Sequence, residues 1–208
     1  MLEILLIRHG QTDWNYERRI MGDQPIGLNL SGQDQIRELS KILQSYSYSA
    51  IFSSPLRRTL ETAEILNEGR GIPIQTDNDL REIEYGEWVG KTFKEVRSDP
   101  HFKEYYKHPD QPVGNIGESL VQVQTRAVGF VEKIRSMMDH KKVIFVTHAD
   151  WIKCVVMYYL KIPLTQLYQL RIDNGSVSYL TFEGKRERVL TINNVVDLPR
   201  LFLPREPL

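Results

Sequence analysis

Only one cysteine, Cys154, occurs in the 208 residues, so no disulfide can form within the chain and a reducing cytoplasm is the natural setting. With neither a cysteine partner nor a His-x-x-x-His spacing there is no zinc signature, and no metal or other cofactor is expected. Net charge is missing as well. The 27 Lys plus Arg balance 27 Asp plus Glu, which leaves no overall field to favour nucleic acid or an anionic membrane, so any anion site has to be local. No apolar run approaches a membrane span, and the start MLEILLIRHG has neither the basic region nor the long apolar stretch of a signal peptide. The expectation is a soluble, unexported protein that uses neither nucleic acid nor membrane as a partner. Internal repeats and low-complexity tracts are also absent. One domain over residues 1–208 is expected, long enough to bury a substantial core.

What is present is a series of short apolar runs, each ending in a polar turn. The run Leu2, Ile4, Leu5, Leu6, Ile7 stops at Arg8-His9-Gly10, and an apolar run of this length suits a strand buried on both faces of a parallel sheet. AIFSS at 50–54 and KVIFVTH at 142–148 repeat the design, ending in Ser53-Ser54 and in His148. Between them, Ser31 is positioned to cap a helix whose apolar face is Ile36, Leu39, Ile42 and Leu43, and Pro55 to open another through Leu56, Leu60, Ala63 and Leu66. Helical spacing returns with Leu120, Val123, Ala127, Val131, Ile134 and Met138, and again in WIKCVVMYYL. SVSYLTF and RVLTINN flank Glu183-Gly184-Lys185 as an edge hairpin, which is either a solvated edge or pairs across a two-fold axis to make a homodimer. Residues 85–117 lose all periodicity and read as a lid-like insertion with one short helix; 198–208 read as a surface tail. The class implied is α/β, a mostly parallel central sheet with helices on both faces. In such sheets ligands sit at the carboxyl ends of the strands, where Arg8, His9, Arg58 and His148 converge.

On its own, Arg-His-Gly reads more simply as a solvated arginine and a rim histidine. Taken together, LIRHGQTDWN, SSPLRRTLETA, LREIEYGEWVG, GES and VTHAD resemble, in the same order, the blocks of the histidine phosphatase superfamily, in its phosphoglycerate-mutase-like branch. The resemblance runs from about residue 2 to about residue 180. It implies a three-layer sandwich, with His9 as a nucleophile that becomes a phosphohistidine. Arg8, Arg58 and His148 would surround the phosphoryl oxygens, Asn15 would bind phosphate, and Glu82 would serve as proton donor and then base. The physics fits these types: a neutral imidazole has one free lone pair when its other nitrogen is tied to a carbonyl, and guanidinium grips phosphate in a bidentate manner. Arg57 reads as an exposed helix residue, and Glu84 and Glu87 fit the acid position less well than Glu82. Gly10 is expected to let backbone approach the ligand, Gln11 and Thr12 to organise that turn, and Glu118 and Ser119 to support the site or simply start a helix. After His148 the family commonly has glycine, whereas this chain has Ala149 beside the phosphate shell and then Asp150, whose charge could trim the pocket.

The resemblance leans toward a phosphatase acting on a small phosphorylated metabolite. A mutase needs cations for a second phosphate, and in 85–117 Lys91, Lys94, Arg97, Lys103 and Lys107 are offset by Glu87, Glu95, Asp99, Glu104 and Asp110. Tyr85, Trp88, Phe93, Phe102, Tyr105 and Tyr106 instead offer apolar wall for a partly apolar phosphomonoester. Cofactor-dependent phosphoglycerate mutase is the alternative, followed by a binding or scaffold module with weak catalysis.

Overall fold

The computed structural model describes residues 1–113 and 117–195, except for the side chains of Lys103 and Tyr106. The tail expected over 198–208, and residues 114–116 of the irregular segment, lie outside the described residues.

Strands β1 (Leu2–Arg8), β2 (Ala50–Ser53), β3 (Ile74–Thr76), β4 (Lys142–Thr147), β5 (Val177–Glu183) and β6 (Arg186–Asn194) make one six-stranded sheet in the order β3-β2-β4-β1-β5-β6. The pairings from β3 through β1 are parallel, and the two involving β5 are antiparallel. The α/β class with a mostly parallel sheet is therefore correct. Side chains alternate across the pleat. Ile4, Leu6, Phe52, Val143 and Phe145 pack on one face against α6 (Leu120–Met137) and α7 (Ala149–Leu160). Leu5, Ile7, Ile51, Ile144 and Val146 pack on the other against α2 (Leu30–Ile42) and α3 (Arg57–Asn67). Burial on both faces is why these strands read as continuous apolar runs, each large side chain contributing about 1.5–3 kcal/mol.

Neighbouring β1 and β4 send their chains to opposite faces, β1 toward α2 and β4 into α7. This divergence opens a crevice beyond their carboxyl ends.

Several local expectations change. Asn29, not Ser31, caps α2, its side chain accepting from the Gly32 N–H at 2.8 Å, and Ser31 lies inside the helix. Pro55 lies before α3 rather than in it, because Leu56 is still extended (φ −73°, ψ 141°) as the chain turns off the sheet. β3 had no visible signal: it is three residues long and only Ile74 is partly buried. The irregular segment holds two short helices instead of one, α4 (Phe93–Arg97) and α5 (Pro100–Lys107), started by the caps Thr92 and Asp99. Trp88, Val96, Tyr105 and Val113 join Leu120, Val123, Cys154 and Met157 in a third apolar cluster, which fixes this segment over the crevice. Among the described residues no helix is long and apolar enough to cross a membrane.

Candidate active site

A short helix, α1 (Asp13–Tyr16), follows β1, and the turn between them carries the centre of the site. His9 is 1% exposed, and its Nδ1 lies 2.8 Å from the Gly10 carbonyl. A carbonyl only accepts, so Nδ1 carries the proton and Nε2 keeps its lone pair. Burial, with the charges of Arg58 and Arg8 adding to it, holds His9 well below the usual imidazole range, so the ring is neutral. The turn is braced from every side. Gly10 N–H donates to Thr62 Oγ1 at 3.1 Å, and Asn174 Nδ2 lies 3.1 Å from the His9 carbonyl and 3.0 Å from Asn15 Oδ1. Thr12 caps α1 and binds Asn15 Oδ1 through both its N–H and its hydroxyl, each at 3.1 Å. With its oxygen so occupied, Asn15 has only its NH₂ group left to offer a ligand.

Arg8, His9, Asn15, Arg58, Glu82, Ala149 and Asp150 line one cavity of about 460 Å³. Arg58, fully buried, donates from Nη2 to the Gly22 carbonyl at 2.7 Å and from Nη1 to the Gln24 carbonyl at 3.2 Å. Arg8 donates from Nη1 to the Ile172 carbonyl at 2.7 Å. Neither arginine has a carboxylate at ion-pair distance among the described residues. Nε of each is buried without a partner. Burial lowers Arg58 to about 10, which leaves it cationic at neutral pH. His148, also fully buried, lies beside His9 with ring centroids 5.3 Å apart. Its Nε2 is 2.9 Å from the Ser54 hydroxyl, while Nδ1 is a further buried nitrogen without a partner.

Glu82 sits at the N-terminus of α7, receiving the Ala149 N–H at 3.1 Å and the Asp150 N–H at 3.2 Å, one on each carboxyl oxygen. Burial raises it to about 7, with the Asp150 carboxylate adding to the rise and Arg8 and Arg58 opposing it. It pairs with neither nearby arginine: Arg81 faces Asp23 and Glu84, and the exposed Arg57 holds Glu61 at 2.7 Å. The Glu82 loop is anchored by Arg126, which donates to the carbonyls of Asp79, Arg81 and Glu82 while its Nε and Nη2 engage the Glu118 carboxylate at 2.8 Å each. Glu118 thus supports the site, and Ser119 caps α6.

Some expected roles move. The bare α-carbon of Gly10 faces α2: an added Cβ would lie 2.7 Å from the Gly32 carbonyl oxygen and 2.9 Å from Ile36. Gly10 therefore admits the helix, and neither it, Gln11 nor Thr12 lines the cavity. Gln11 points to Asn29, and its N–H to Gln35. Ala149 is an ordinary helical residue, so its methyl group carries no backbone strain. Sequence reasoning missed Asn174 and Arg126, which act on backbone carbonyls far away in the chain and belong to no quoted motif, and it gave no role to Thr62 within SSPLRRTLETA.

The wider wall is aromatic, formed by Tyr85, Trp88, Phe93, Phe102, Tyr105 and Tyr168. Tyr106 has no described side chain. Of the cations expected to be offset in 85–117, those with described side chains stay off the wall; Arg18, Arg19, Lys153 and Arg171 line it instead.

The family model for the histidine phosphatase superfamily (branch 1) matches residues 4–195. The chain belongs to that superfamily. Phosphoserine phosphatase 1 of Hydrogenobacter thermophilus is 27% identical over 98% of this chain and 97% of its own length. A probable phosphoglycerate mutase, GpmB, of Proteus mirabilis is 28% identical over 88% of this chain and 86% of its own. Among solved structures, YhfR of Bacillus stearothermophilus superimposes with a TM-score of 0.85 at 34% identity, over 94% of this chain and 98% of that one. This superfamily chain thus keeps the fold of its relatives nearly end to end.

Proposed function

We propose that the protein is a metal-independent phosphatase that hydrolyses a small phosphomonoester through a phosphohistidine on His9. The observation that carries this reading is the neutral His9, tied at Nδ1, beside buried guanidinium nitrogens that have no protein partner. His9 Nε2 attacks phosphorus, the phosphorus–oxygen ester bond breaks, and the leaving alkoxide takes the proton of Glu82. Water then attacks the phosphohistidine, Glu82 takes its proton back, and the phosphorus–nitrogen bond breaks to release inorganic phosphate. Through both steps the equatorial oxygens are stabilised by Arg8, Arg58, the Asn15 amide and His148, whose Nδ1 carries a proton when the Ser54 hydroxyl donates to Nε2. Among the described residues no group of three or more His, Cys, Asp or Glu side chains is placed to hold a metal. The aromatic wall suits a partly apolar alcohol.

A second reading is favoured by the cavity itself. Arg18, Arg19, Lys153 and Arg171 add cations of the kind a mutase needs to hold a second phosphate, and GpmB is among the relatives. Phosphorus NMR separates the two, using a panel of phosphomonoesters and 3-phosphoglycerate with and without 2,3-bisphosphoglycerate, in chelator. The phosphatase reading expects inorganic phosphate. Transfer between glycerate positions without phosphate release would make the protein a mutase, and loss of activity in chelator that returns with metal would overturn the mechanism.

A further inference from the structure

Two carboxyl groups, the half-buried Glu82 and the buried Asp150, share one wall, and a mechanism with one proton to give turns on which of them carries it. We propose that Asp150 is a positioning residue that makes Glu82 the proton carrier, with Lys153 and Tyr85 holding Asp150 as the fixed anion of the pair. The proposal rests on the reading of Glu82 as acid and base given above.

The geometry runs through one turn of α7. The Asp150 backbone N–H holds Glu82 at 3.2 Å, so its side chain is fixed beside the carboxyl it faces. Both Asp150 oxygens are then occupied by donors: the Tyr85 hydroxyl at 2.5 Å on Oδ2 and the Lys153 ammonium at 2.9 Å on Oδ1. Among the described residues Glu82 receives only backbone N–H groups, from Ile83, Ala149 and Asp150. A cation and a phenol on one carboxylate, and amides alone on the other, push the pair apart in acidity. Other groups face the pair as well. Arg8 from β1 and Arg58 from α3 pull Glu82 toward its anion, Arg126 from α6 holds the Glu82 carbonyl, and His9 and His148 are neutral. Asp150 offsets the two arginines, so that Glu82 still has a proton to give near neutral pH. Burial pushes Asp150 up, but the Lys153 ammonium and the Tyr85 hydrogen bond outweigh it and hold the group below its ordinary range.

Lys153 and Asp150 touch, yet their removal should move Glu82 in opposite directions. The test is a carbon NMR titration of side-chain carboxyls in the labelled protein, with the Glu82 signal assigned by its loss in Glu82→Gln. In the unaltered protein Glu82 should titrate at about 7. Asp150→Asn should lower that midpoint by about 1 pH unit or more, and Lys153→Met should raise it by a similar amount. Tyr85→Phe, expected to raise it by less, serves if Asp150→Asn gives no native amide spectrum. A midpoint that stays put, or moves the same way in the Asp150 and Lys153 variants, would overturn the proposal. So would an Asp150 that titrates near neutrality while Glu82 behaves as an ordinary carboxylate. Absence of any His9-dependent turnover would instead remove the phosphatase reading, because the titration needs no substrate. Where turnover is present, the high-pH limb of kcat/KM should follow the same opposite shifts, which a merely structural role would not produce.

Discussion

The strand ends beneath the cavity and the segment over it treat charge in opposite ways. At the end of β1 and in the first turn of α3, Arg8 and Arg58 are held by backbone carbonyls and have no carboxylate at ion-pair distance among the described residues, so their charge is not already spent within the protein. Over the cavity, surface charges are met locally: Lys107 pairs with Glu104 at 2.8 Å, Asp99 lies 3.0 Å from the His101 ring, and Glu95 sits inside the cap of α4. Carbonyl anchors fix direction without cancelling charge, which is what an anion site needs. Exposed pairs of the second kind are worth little to stability, about 0–1 kcal/mol, and leave the overlying segment to contribute shape through its aromatics. Under the phosphatase reading, chemistry belongs to the strand ends and substrate choice to the covering segment.

That division can be broken in order of effect. Glu82→Gln should cost about 10²–10⁴ in kcat/KM with alkyl phosphates, and much less with an aryl phosphate whose leaving group needs no proton. It should also remove the decline of kcat/KM above about pH 7, since Glu82 has to be protonated to act as acid and its raised value places the loss of that proton there. Arg58→Ala should cost about 10²–10³ on every substrate alike; a loss confined to some substrates would mean that the strand ends also choose among them. Asn174→Ala, which releases the turn that carries His9 and Asn15, should cost about 10–100-fold in kcat. Phe102→Ala should raise KM by less than about tenfold, unequally among substrates, with kcat unchanged. An equal fall in kcat for all of them would show that the covering segment takes part in the chemistry.

Much of this was legible in the sequence, for reasons that also explain what was not. β1 and β4 are buried on both faces, so their runs stood out, and the polar groups that end them stand at the crevice for the same reason. β3 has one partly buried residue and left no pattern. Caps depended on which polar residue the chain direction selected, and Asn29 won over Ser31 only by the course of the loop before it. Gly10 was readable as a close approach but not for its partner, since Gly32 belongs to a helix that begins twenty residues further on. Arg126 was hidden because it grips carbonyls, and any residue type presents those.

The central claim is that His9 carries the phosphoryl group. The most direct measurement is rapid quenching during turnover, followed by peptide mass spectrometry under conditions that preserve phosphoramidates, beside a His9→Ala control. The account predicts one phosphopeptide, bearing an acid-labile group on His9, that disappears in the control together with phosphate release. Phosphate release that continues in His9→Ala, or a phosphoryl group on another residue, would contradict it.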